Sequence, residues 1–186
     1  RRTAQLVEAL QAVEEAGATP PLPQPLAPEV LVGWQAWAAE QARPGGASAE
    51  AHFLLGRLHR ALQRFREAAA CQDQALARDP DFAPSLYERT ILVARDWLDQ
   101  YTREFERLAT ERAARGEAAD AAPPARTELE ARDAALPALR ARLGELIDRC
   151  EAVLARRPEW GAHAVPLLRV GAAQQACLRA LRALAG

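Results

Sequence analysis

The chain has 186 residues, with 24 basic and 25 acidic side chains and a formal charge of −1. Every basic residue is Arg, Lys, Asn and Met are absent, and Ala makes up about a quarter of the chain. Near-neutral charge argues against a dedicated nucleic-acid binder, which needs a net basic face, and no apolar run approaches the roughly 20 residues that span a bilayer.

Ala, Leu, Arg, Glu and Gln favour helices, and β-branched residues are scarce, so the expectation is an all-α protein. The missing Lys and Asn read as the imprint of a GC-rich coding sequence. The chain opens on Arg1 with no secretory signal, so it reads as a segment of a longer protein. Any membrane contact would then run through segments outside it. The expected location is cytoplasmic, with an extracytoplasmic part of a membrane-anchored protein as the alternative.

In chain order, a first helix is expected over about 4–16, where Leu6, Leu10 and Val13 share a face and Gly17 stops the run. The prolines of the 19–28 stretch forbid a helix until Pro28, which suits a first helical position. A second helix follows over about 28–42 with Val30, Leu31, Trp34 and Trp37 apolar, and Pro44-Gly45-Gly46 ends it. A third starts after Ser48, a suitable N-cap, and runs to about Gln63. A fourth covers about 65–78 and stops before Pro80.

The third and fourth helices carry the most informative pattern. With Ala49 as position 1 of a 34-residue window, Leu55 and Gly56 fall at 7 and 8, and Phe65, Ala68, Ala75 and Pro80 fall at 17, 20, 27 and 32. Small residues stand where two helices must approach closely, and Pro stands after the second. This resembles the tetratricopeptide repeat, a helix-turn-helix unit. Positions 4, 11 and 24 depart from it, because His52, His59 and Gln72 replace large apolar residues.

Leu76-Ala77-Arg78-Asp79-Pro80-Asp81-Phe82 recurs as Leu154-Ala155-Arg156-Arg157-Pro158-Glu159-Trp160, at an offset of 78 residues. A second unit over about 83–160 would therefore carry about 44 extra residues. In the 84–115 segment, Tyr87, Ile91, Ala94, Leu98, Tyr101, Phe105 and Leu108 alternate steps of four and three, which is a heptad seam. Gly116 breaks it, and a loop follows through Pro123-Pro124. Thr127 with Glu130 reads as a capping box opening the return helix. Leu129, Leu136, Leu143 and Cys150 repeat every seven residues beside Leu139, Leu146 and Val153, and Pro137 is expected to kink or split this helix near Leu136. The two helices would form an antiparallel hairpin of about 30 residues per arm, roughly 45 Å long. Leu98→Asp or Leu139→Asp is expected to disrupt it.

A last helix is expected over about 164–184, with Leu167, Val170, Gln174, Cys177, Leu181 and Leu184 on one stripe. The expected divisions are an N-terminal helical pair with a Pro-rich linker over 1–46, a repeat unit over 47–82, an extended unit over 83–160 and a capping helix over 161–186. The fold class is thus all-α, a short α-solenoid of stacked antiparallel helix pairs with one pair drawn out into a long hairpin.

Residues that carry chemistry are few. Cys71, Cys150 and Cys177 lack disulfide or zinc spacing and read as small buried thiols. His52 and His59 lie two turns apart on one face and read as core packing. Ser48 and Ser85 read as helix-start residues; Asp96, Asp99, Glu104 and Glu106 read as solvent-face acids; and Glu128 and Glu130 read as first-turn charges favouring the helix dipole. No GxSxG, GxGxxG or P-loop occurs. The expectation is a non-catalytic chain without metal or cofactor.

Function then rests on surfaces. The resemblance implies a concave groove lined by the first helix of each unit. It implies Phe53, Arg57, Arg60, Tyr87, Ile91 and Arg95 as partner-binding residues. Phe53 and Tyr87 would anchor apolar side chains, and the arginines would pair with carboxylates. Arg57→Glu with Arg60→Glu is expected to abolish binding without lowering the melting temperature. The carboxylate clamp of this family relies on Lys and Asn, which this chain lacks. An Arg- and Ala-rich array with one overlong pair also resembles the C-terminal arrays of bacterial membrane-anchored Ser/Thr kinases, which implies a sensor or scaffold. The expected partner is a protein or peptide. The alternatives are self-association through the hairpin, giving a homodimer, and small-ligand sensing.

Overall fold

Ser48 starts the first described helix as its sequence suggests: its Oγ accepts the Ala51 N–H at 3.2 Å, satisfying one of the donors a helix start leaves open. In this computed structural model residues 48–116 and 123–185 are described. The expected helices over 4–16 and 28–42, and the proline stretch between them, lie outside those residues. Six α-helices follow, with no strand among the described residues. They are α1 (Ala49–Ala61), α2 (Phe65–Arg78), α3 (Ala83–Ala114), α4 (Arg126–Arg132), α5 (Ala135–Arg156) and α6 (Ala172–Ala185).

α1 and α2 form a tight antiparallel pair. The chain reverses at Gln63, whose φ of 58° lies in the left-handed region. The two backbones approach at Gly56, where an added Cβ would lie 3.1 Å from Cys71 Cβ and would strike the Gln72 amide. Ala68 and Ala75 are fully buried. Gln72, the polar residue at an apolar position of the pattern, donates to the Phe53 carbonyl at 3.3 Å. That bond answers part of the cost of burying its amide.

α3 has 32 residues, about 48 Å at 1.5 Å per residue. It carries Pro84 in its first turn, where no intrahelical donor is lost. α5 and α4 return along it. The main core joins Phe53, Ala75, Phe82, Leu86 and Val93 to Leu143, Ile147, Cys150, Val153, Trp160, Leu167, Val170 and Leu178. A second cluster further out along the hairpin joins Trp97 and Leu108 to Leu129 and Leu136. The seven-residue row on the return arm is therefore buried along its whole length. The antiparallel register shows in ion pairs of Arg112 with Glu128 at 2.7 Å and of Arg132 with Glu104 at 2.8 Å.

Four expectations are corrected. The seam on α3 runs through Leu86, Val93, Trp97 and Leu108, and Leu98 is 45% exposed. For its first four turns α3 carries two parallel apolar stripes, Leu86-Val93-Trp97 and Tyr87-Ile91-Leu98, so periodicity alone does not choose between them. Packing against α5 selects the first. Thr127 does not cap the return arm: the N-cap of α4 is Ala125 with no side-chain bond, and Glu130 instead pairs with Arg140 at 2.9 Å.

Glu104 is not a solvent-face acid. It is 6% exposed and is held by Arg107 and Arg132 at 2.7 and 2.8 Å. Finally, the last helix is shorter than expected. Two 3-10 turns, Pro158–Ala162 and Pro166–Leu168, precede α6. Pro166 disfavours helical backbone at the residue before it, and Val165 is extended, as is Arg169 beyond the turn. The loop is closed by the Val170 N–H donating to the Trp160 carbonyl at 2.9 Å.

The break foreseen near Pro137 is present. Asp133, between α4 and α5, is extended. Its Oδ1 accepts the Ala135 N–H at 2.9 Å, and its Oδ2 accepts the Gln100 amide. Pro137 then sits third in α5, where its missing N–H has no partner to lose.

Candidate interaction surface

α1, α3 and α6 lie side by side on one face of the array. The first contact is electrostatic. Arg57 on α1 pairs with Glu88 on α3 at 2.9 Å, and Arg60 pairs with the other oxygen of Glu88 at 3.0 Å. Glu88 is only 2% exposed. Burial works against the Arg57 charge and holds its pKa below the ordinary value, while Glu88 opposes that shift. A buried carboxylate between two guanidiniums is a structural clasp that fixes the spacing of α1 and α3.

The second contact brings α3 to α6 where Tyr87 faces Cys177, close enough for the two side chains to interact electrostatically. The Tyr87 hydroxyl is pushed up, chiefly by burial and then by Cys177. α6 runs in the same direction as α3. Its far end is tied down by Arg140, which donates to the Ala185 carbonyl at 3.2 Å, and by Arg126, which donates to the Leu184 carbonyl at 3.3 Å. Arg182 pairs back to Asp148 and Glu151 of α5 at 2.7 and 2.8 Å.

Helical geometry places the remaining groups. Leu98 lies eleven residues, three turns, beyond Tyr87, and Leu184 lies seven residues, two turns, beyond Cys177. Both therefore continue the faces that meet at the Tyr87–Cys177 contact. They are the exposed large hydrophobic residues among the described ones, at 45% and 46%. Ile91 and Leu181 lie half-buried between them and the contact. Arg95 stands at the edge, its guanidinium 3.4 Å from the centroid of the Phe65 ring and 3.1 Å from Asp99.

The six sequence-derived candidates fall into two groups. Phe53 is 1% exposed, edge-on to Phe82 in the core at 5.7 Å between centroids. Arg57 and Arg60 are engaged with Glu88. Tyr87, Ile91 and Arg95 line the face itself. Sequence reasoning missed Glu88, Leu98 as a surface residue, and the pairing of Leu98 with Leu184. The signal for Glu88 was an acid standing beside an apolar stripe, opposite two arginines one turn apart.

Burial shifts the titration of two thiols and two imidazoles. Burial pushes the Cys71 thiol up to about 11 and the Cys150 thiol up to about 12, so both stay protonated and poorly nucleophilic near neutral pH. His52 and His59 are lowered, chiefly by burial. Among the described residues no group of His, Cys, Asp and Glu is placed to hold a metal ion, and no helix is long and apolar enough to cross a membrane. A polar pocket of about 320 Å³ at the hairpin joint is lined by Gln100, Arg103, Glu104, Arg107, Arg132 and Asp133. Glu104 and Asp133 sit among its three arginines and offset most of their charge.

Residues 49–82 match the family model of the tetratricopeptide repeat. Comparison with curated proteins and with solved structures returns no significant match. The matched residues are α1, α2 and the turn that follows them. With the stacked helices beyond, the chain is a tetratricopeptide-like helical repeat domain, a class whose general role is protein–protein interaction or scaffolding.

Proposed function

We propose that this chain is a non-catalytic sensor or scaffold module that takes a peptide or protein segment on the face of α1, α3 and α6. The observation that carries this reading is the exposed pair Leu98 and Leu184, which continue the Tyr87–Cys177 contact on two parallel helices. Tyr87, Ile91 and Leu181 extend the apolar strip, and Arg95 offers a planar cation at its edge. Phe53 and the Arg57–Glu88–Arg60 clasp form the floor that holds the strip in place.

A random-peptide display selection on the immobilised chain tests the reading. The selected peptides should carry an apolar anchor and should lose at least tenfold in affinity for Leu98→Asp and for Leu184→Asp. Arg95→Glu should select against acidic peptides. Equal binding to all three variants would remove this face as the working surface.

Self-association is the second reading, favoured by the same exposed leucines, Leu98 on the hairpin and Leu184 on α6. Light scattering over a range of concentrations separates the two: a monomer throughout removes it.

A further inference from the structure

One intramolecular docking event is visible at the turn after α2. Arg149 of α5 donates to the Pro80 carbonyl at 2.6 Å. Arg156 pairs with Asp81 at 3.1 Å and Arg157 with Asp79 at 3.7 Å. Ile147, Cys150 and Val153 of the same helix share a core with Ala75, Phe82 and Leu86. The notch between the end of α2 and the start of α3 thus receives an amphipathic helix with arginines in its last turns.

The chain builds this notch twice. Asp73, Leu76, Ala77 and Pro80 recur, 78 residues on, as Glu151, Leu154, Ala155 and Pro158. The Arg89–Asp73 pair across the first notch, at 2.8 Å, has its counterpart in Arg182–Glu151 across the second, also at 2.8 Å. Leu86 on α3 and Leu178 on α6 are both fully buried beneath. At the second notch there is an open cavity of about 430 Å³, lined by Leu154, Ala155, Pro158, Gly161, Leu178 and Arg179 among others. Glu159 stands there where Asp81 stands in the first; it is exposed, with Arg157 on one side at 2.9 Å.

We propose that this second notch is a docking site for an amphipathic helix of a protein partner, with apolar residues every three or four positions and arginines in its last two turns. Its apolar row would lie over Leu154, Ala155 and Pro158, and its arginines would reach Glu159 and the Pro158 carbonyl. The occupant is specified by the first notch, whose chemistry the second repeats and whose stacking interface it continues. This face is separate from the one that carries Leu98.

The probe is a fluorescein-labelled peptide of residues 139–158 carrying Cys150→Ser, titrated with the 186-residue chain and followed by anisotropy. Saturable binding is expected. Glu159→Arg and Gly161→Arg should each weaken it at least tenfold, and so should replacing Arg149, Arg156 and Arg157 of the peptide by Glu. Gly161 has room for a side chain, with its nearest neighbour 3.5 Å from an added Cβ, and Glu159 is exposed, so both variants should melt as the parent does. Leu98→Asp should bind the peptide unchanged. The proposal falls if binding does not saturate, or if neither substitution on the chain affects it. It also falls if light scattering shows a dimer that Gly161→Arg dissociates, because the occupant is then a second copy.

Discussion

The rings of Phe82 and Trp160 meet edge to face, with centroids 5.1 Å apart and planes at 82°. These are the last residues of the two echoed segments, so the internal repetition of the sequence closes on itself in space. Phe53 completes the row on the other side of Phe82, while His163 stacks on Trp160 and Arg157 lies over it at 5.0 Å. The row ties the first repeat to the end of the hairpin. Removing either ring opens a cavity at the junction. Phe82→Ala and Trp160→Ala should each cost about 3–5 kcal/mol, measured by urea unfolding. A double-mutant cycle should return a coupling of roughly 0.5–1.5 kcal/mol.

The Arg57–Glu88–Arg60 clasp turns an expected binding feature into a structural one. Glu88→Gln strips the countercharge from a buried guanidinium and should cost about 3–5 kcal/mol, the usual range for breaking a buried pair. Replacing Arg57 by Met together with Glu88 by Leu should cost far less, because no lone charge is left buried. Arg57→Glu with Arg60→Glu places three acids together and should lower the melting temperature, contrary to the expectation from sequence. An unchanged melting temperature in that double variant would show that the clasp contributes nothing to stability.

Leu98 and Leu136 separate the surface of the hairpin from its interior. Leu98→Asp should leave circular dichroism and melting unaltered, since the side chain is exposed. Leu136→Asp buries a charge among Trp97, Leu108 and Leu129 and should unfold the outer hairpin. If Leu98→Asp is as destructive as Leu136→Asp, the assignment of faces on α3 is wrong.

Acid should weaken the first helical pair in a particular window. His52 and His59 have folded-state pKa values below 6.5. The unfolded chain therefore binds protons first as pH falls, and stability drops below about 6.5. Their contribution is complete above that value and is lost as pH falls through their folded-state values. Denaturant midpoints at pH 7.5, 6.5 and 5.5 should decline in the parent and decline less in His52→Gln with His59→Gln. Glu104 and Asp133 are lowered by their hydrogen bonds, chiefly from Arg107 and from Gln100. Stability held by these two carboxylates is lost only in more acid solution.

Much was readable along the chain because it is local. Ser48 caps α1 through its own neighbours, and Gly56, Ala68 and Ala75 mark a helix crossing that depends on side-chain size alone. Pro137 forces a break, and the row Leu129, Leu136, Leu143, Cys150 has a single apolar stripe to bury. The all-Arg composition also bore on the outcome, since planar guanidiniums recur wherever two elements are joined by charge, as at Glu88 and Asp81. Tertiary structure decided the rest. α3 carries two apolar stripes, and only the position of α5 determines which is core, so Leu98 went outward. Glu88 and Glu104 are ordinary helical acids in sequence and became buried because arginines from elsewhere converged on them. Periodicity describes one helix at a time, whereas burial is a property of the neighbours that a helix acquires.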